Sequence, residues 1–131
     1  MLNAAIQYLS EIFDGEVLAL LPGENGKLHV AAGDPSSVLH KDIVKAINLA
    51  RSAYDTGRMA GWGTQTSPTT EILHVPLQAG DTTLGVLSLR PRDPERFLLA
   101  DQLRLLESLA KQVALALEVE RLTGSEASRS A

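Results

Sequence analysis

Two stretches constrain this chain more than any others: EVLALLPGENGKLHVAAG, from Glu16 to Gly33, and EILHVPLQAGDTTLGVLSLRP, from Glu71 to Pro91. In each, a short apolar run meets a compact turn and is followed by a second run. Asn25-Gly26 and Ala79-Gly80-Asp81 supply the turns, because glycine and asparagine accept the positive backbone angles that a tight reversal needs. Two tight hairpins cannot make a parallel sheet, which requires long crossovers. They predict an antiparallel one. Pro76 interrupts the third run and places it toward an edge or a bulge, since proline has no N–H to give to a ladder.

Helical periodicity brackets the hairpins. Leu2, Ile6, Leu9 and Phe13 recur at steps of four, three and four, and Asp14-Gly15 ends the run. Asp34-Pro35-Ser36-Ser37 caps a helix from about Val38 to Thr56, with Leu39, Ile43, Ala46, Ile47 and Ala50 on one side and Gly57 as its stop. A final helix is predicted from about Leu98 to Leu122, followed by a small polar tail, 123–131, that should fray. The fold class is therefore α+β: one domain, residues 1–122, with the terminal helices packed on one face of the sheet.

Composition narrows the function by exclusion. The absence of cysteine removes disulfides, thiol catalysis and zinc–thiolate sites. A formal charge of −4 gives no electrostatic case for nucleic acid as a partner. No basic leader precedes an apolar segment, and no apolar run approaches the roughly 20 residues of a bilayer span, so membrane insertion of this segment is not expected. The expected location is the cytoplasm.

Catalytic patterns are missing as well. Gly23-Glu24-Asn25-Gly26-Lys27 is too short for a phosphate loop, and Gly61-Trp62-Gly63 does not open a helix after a strand. His29, His40 and His74 are scattered without ligand spacing, and none is followed by the acidic residue and proline of a phosphoacceptor box. No catalytic residue, metal site or cofactor is expected. What remains is DTGRMAGWGTQTSP, Asp55 to Pro68, which holds the only tryptophan and a run of hydroxyls. Glycine lets backbone approach another group closely, hydroxyls orient a polar ligand, and tryptophan offers a flat apolar wall. Gly61, Trp62, Gly63, Thr64, Thr66 and His74 are the candidate ligand-binding residues, against the plainer reading of a surface crossover pinned by Trp62. His74 lies between Leu73 and Val75 and should point to the opposite face from both.

The middle of the chain, with Ala60-Gly61, Gly63-Thr64, Thr66, Pro68, Val75-Pro76-Leu77, Gly85-Val86-Leu87, Arg90-Pro91 and Asp93-Pro94-Glu95-Arg96, resembles the GAF domains of KdpD-type sensor histidine kinases. The leucine- and alanine-rich closing run from Phe97 to Leu122 is similar to the last helix of GAF domains generally. The resemblance implies a GAF-like sheet with a helix or loop on its second face. It further implies a non-catalytic, cytoplasmic regulatory domain of a two-component kinase controlling potassium uptake, with the kinase core as downstream partner. A stand-alone small-molecule effector domain of a transcription regulator is the alternative. Without cysteine, neither covalent bilin attachment nor thiol-based sulfoxide reduction, both found elsewhere in the superfamily, is available.

Two apolar sets on the final helix predict assembly. Leu99, Leu103, Leu106, Ala110, Val113 and Leu117 form one stripe; Leu98, Leu105, Leu109 and Ala116 form another about 100° around. One stripe can pack on the sheet; the surplus needs the N-terminal helix or a second subunit. Both are expected, as a parallel homodimer through the terminal helices, against the alternative that the N-terminal helix alone covers it.

Overall fold

A computed structural model describes residues 2–61, 72–93 and 100–130, with only the backbone for 100 and 124–130. Helix α1 (Leu2–Phe13) leads into β1 (Gly15–Pro22) and β2 (Leu28–Ala32). Helix α2 (Val38–Thr56) and the two-residue β3 (Ala60–Gly61) precede β4 (Leu73–Ala79), β5 (Thr82–Pro91) and α3 (Ala100–Ser130). The strands form one antiparallel sheet in the order β2-β1-β5-β4-β3, so the two hairpins meet along β1 and β5.

Alternation along the strands divides the core in two. Val17, Ala19, Leu73, Val75, Leu77, Leu87 and Leu89 face the terminal helices, where Ile6, Leu9 and Phe13 of α1 and Leu106, Ala110, Val113 and Ala114 of α3 close over them. Leu18, Leu20, Ala60 and Val86 point the other way and are covered by Leu39, Ile43, Ala50 and Ala53 of α2. This is the α+β sandwich that the hairpins and helical stripes predict. β3 was not anticipated; two residues carry no periodicity of their own.

Helix α2 begins as expected. Ser37 Oγ accepts the backbone N–H of His40 at 3.0 Å. A second N-terminal donor, Leu39 N–H, is taken by Glu16 Oε2 from β1 at 3.0 Å. Gly57 ends the helix in the left-handed conformation (φ 68°), donating to Ala53 O. Pro76 lies beyond the two β4 residues that β3 pairs, and β4 shifts register between Leu77 and Gln78. Pro76 pairs with Val86 of β5, one residue before the bulge.

Helix α3 continues at the backbone to Ser130, through the tail expected to fray. Its sheet-facing stripe is the one predicted, with Leu103, Leu106, Ala110, Val113 and Leu117 in the core cluster; Leu99 lies outside the described residues. The second stripe needs correction. Leu109 packs against the core, whereas Leu105 stays 42% exposed. Four residues advance a helix by about 40° beyond one turn, enough to bring Leu109 to the sheet side. Among the described side chains of α3, the large exposed apolar ones are Leu105, Leu115, Val119 and Leu122.

Candidate functional site

On the α2 side, one row of residues crosses four strands. Leu18 of β1 pairs with Ser88 of β5, Ser88 with His74 of β4, and His74 with Ala60 of β3. Leu18 and Ala60 are apolar and buried, so the row carries a polar step in its middle. His74 and Ser88 are both 0% exposed. His74 Nδ1 and Ser88 Oγ stand 2.7 Å apart, a short and well-formed hydrogen bond. His74 Nε2 is buried with no hydrogen-bond partner among the described residues.

Burial holds the ring neutral. Removing imidazolium from water disfavours the charged form, so desolvation pushes His74 down to about 4. The ring therefore serves near neutral pH as an uncharged donor or acceptor.

Beside His74 lies a cavity of about 600 Å³ between α2 and the sheet. Ala46, Leu49 and Ile72 give it apolar walls, and Asp42, Lys45 and Asn48 a polar rim. Asp42 faces Arg90 of β5 at 3.8 Å, a long ion pair that offsets its charge. His74 borders this space while Nε2 itself is sealed from bulk water. A more open groove of about 660 Å³ runs between Leu21, Pro22 and Leu84 and the outer half of α3. Among the described residues, only the α2 cavity is bordered by a buried imidazole with an unpaired nitrogen.

Of the candidate residues named from the sequence, His74 is on the face expected and borders the cavity. Gly61 is buried in the pairing of β3 with β4, at φ 104°, where a Cβ would come within 2.0 Å of Ile72 O. Its glycine character is thus required by strand approach. Trp62, Gly63, Thr64 and Thr66 lie outside the described residues. His29 is exposed on β2 and His40 sits in the first turn of α2, both away from His74's row. Among the described residues no group of three or more histidines and carboxylates could hold a metal. No described helix is long and apolar enough to cross a membrane.

Sequence reasoning missed Ser88, yet a signal for it exists. Counted outward from the β4–β5 turn, Ser88 falls opposite His74 once one bulge residue is allowed. Asp42, Lys45, Ala46 and Leu49 were likewise missed, although steps of three and four put them on neighbouring turns of α2.

Comparison with known proteins agrees with this architecture. Residues 1–119 match the GAF domain family. The chain is 32% identical over 120 residues to the sensor protein KdpD of Escherichia coli, covering 92% of this chain and 13% of KdpD. It thus spans a small part of that curated relative. The crystal structure of the native GAF domain of the potassium sensor histidine kinase KdpD from Escherichia coli matches with a TM-score of 0.76 at 31% identity, covering 95% of this chain and 82% of that one. The second GAF domain of DevS from Mycobacterium smegmatis matches at 18% identity with a TM-score of 0.67, over 98% and 96% of the two chains, a likeness of fold alone. The fold, the sequence match and the KdpD likeness together establish that the chain belongs to the GAF domain family.

Proposed function

We propose that this domain is the regulatory GAF module of a KdpD-type sensor histidine kinase that controls potassium uptake, dimerising through its terminal helices and passing a change of state along α3 to the kinase core. The observation that carries this reading is the second apolar strip of α3. Leu105, Leu115, Val119 and Leu122 are 42%, 58%, 63% and 53% exposed. Leu115, Val119 and Leu122 fall at d, a and d of a heptad; Leu105 falls at an earlier a of the same register, separated from them by Ser108 at d and Gln112 at a. Val119 at a between Leu115 and Leu122 at d is the combination that favours two parallel strands. Tyr8 and Ile12, one turn apart on α1, add exposed apolar surface at the other terminal helix.

A helix packed on a sheet along one face and paired along another can exist in two registers or rotations, which an input at the sheet would bias. The cavity beside His74 is the input site in this reading, open to a small molecule. Potassium control and the kinase partner come from the likeness to KdpD. Rotational phase is the property to test. In the full-length kinase, four residues inserted after Thr123 should lock autophosphorylation high or low, and seven should restore regulation. Equal, wild-type regulation in both insertions would rule out relay through α3.

A further inference from the structure

Buried polar groups are almost always hydrogen-bonded, and an exception calls for an explanation. His74 Nε2 is such an exception among the described residues, and its residue borders a cavity. The Ser88 contact settles which ring nitrogen holds the proton. Neutral imidazole has one N–H. If that were Nδ1–H donating to Ser88 Oγ, the serine proton would have no acceptor among the described residues, and the Nε2 lone pair would also be unserved. If Ser88 instead donates to Nδ1, the hydroxyl is satisfied and the imidazole proton sits on Nε2. Only one group is then left unpaired. The second arrangement wins, and Nε2–H is a donor.

Charge around the cavity has the same sense. Arg90 offsets Asp42 at 3.8 Å, Lys45 adds a cation on the rim, and no second described carboxylate lines the space. An N–H donor on a residue bordering the cavity, with the Lys45 ammonium on the rim, repels a bare cation and attracts an acceptor. The walls, Ala46, Leu49 and Ile72, suit an apolar body.

We infer that the α2 cavity takes a small, largely apolar molecule presenting a carbonyl-type hydrogen-bond acceptor to His74 Nε2–H, and that it does not take potassium or an organic cation. This rests on the reading above that the cavity is a ligand site, and it adds the chemistry of the ligand. His74 is the specificity-determining residue and Ser88 positions it by fixing the tautomer. Because Nε2 is sealed from water, the side chains over it must give way as the ligand enters.

Benzamide and benzamidine share shape and differ in presenting a neutral carbonyl or a cation, which makes them suitable probes beside potassium chloride. Long-range ¹H–¹⁵N spectra of the domain, with His74 assigned, should find the proton on Nε2. Benzamide should shift that nitrogen and bind roughly tenfold or more tightly than benzamidine, about the discrimination one charge-matched hydrogen bond supplies, and potassium should leave it unmoved. His74→Met, whose thioether is a weak acceptor for Ser88 and has no N–H, should erase the preference. A proton on Nδ1, or tighter binding of benzamidine or potassium at His74, would overturn the inference and leave the cavity as a ligand site of other chemistry. Binding of none of the three would overturn both, with Nε2 then served by water.

Discussion

Glu16 Oε2 accepts the backbone N–H of Leu39 at 3.0 Å, so a carboxylate on β1 closes the first turn of α2 across 23 residues of sequence. The first four N–H groups of a helix lack intrahelical partners, and the positive end of the helix dipole favours an anion there. Ser37 satisfies one donor from within the local sequence, and Glu16 a second from the sheet. The contact therefore joins capping to tertiary placement, fixing α2 over the row that contains Ser88 and His74.

Replacing Glu16 with alanine should cost about 1 kcal/mol of folding stability, in the range of a lost helix cap. Glu16→Gln, which keeps an acceptor but loses the charge, should cost less. Urea unfolding of both variants checks the order. Equal losses would assign the effect to charge alone.

Gly61 and Gly80 both have positive φ, 104° and 62°, yet their surroundings differ. A Cβ on Gly61 would meet Ile72 O at 2.0 Å, while one on Gly80 would meet nothing within 4 Å. Gly80→Ala should cost about 1 kcal/mol, the backbone penalty alone. Gly61→Ala adds a collision with main chain that cannot turn aside, and should cost roughly 3 kcal/mol or more. Denaturant midpoints of the two variants should separate clearly; similar values would show that β3 can move away from β4 at little cost.

The buried ring of His74 makes stability depend on pH in a defined window. Its folded value is about 4 against 6.5 when exposed, so the unfolded chain binds the proton first as pH falls. Stability from this group is complete above about 6.5, declines through 5, and levels off below about 4. Between pH 6.5 and 5 the loss should be on the order of 2 kcal/mol, from about 1.4 kcal/mol per pH unit. Carboxylates titrate nearby in pH, so the measurement is the difference between wild type and His74→Asn, which has no imidazole to protonate. Parallel stability curves for the two proteins would mean that His74 is reached by water.

Much of the fold was legible because its signals are local. Turn chemistry marked both hairpins, and period-two alternation put His74 on the opposite face from Leu73 and Val75 before any partner was known. The parts that were not legible depend on long-range register. β3 exists only because Gly61 lets two residues approach β4, and a pair of residues has no period to read. The Glu16–Leu39 bond and the His74–Ser88 pair require knowing which strand lies under which helix. Leu105 and Leu109 looked alike in sequence because an apolar count does not tell a core face from a seam; their rotation relative to Leu106 and Ala110 does.

That rotation allows assembly to be tested without disturbing the core. Leu106 is 2% exposed in the cluster under α3, and Leu106→Ala should cost 2–5 kcal/mol of subunit stability, roughly the usual range for a buried leucine. Leu115 and Val119 are 58% and 63% exposed within one subunit, so Leu115→Glu with Val119→Glu changes little there. In a paired seam the same two substitutions would bring four carboxylates together in a desolvated strip, at a cost of several kcal/mol, or about a thousandfold or more in the dimer dissociation constant. Light scattering should then find a dimer for the wild type and a monomer for the double variant, with unchanged helical circular dichroism and a thermal midpoint shifted only by the loss of association. Leu106→Ala should show the reverse, a less stable chain that still pairs. A wild-type domain that stays monomeric at high concentration would remove the α3 seam, and with it the dimer, from this domain acting alone.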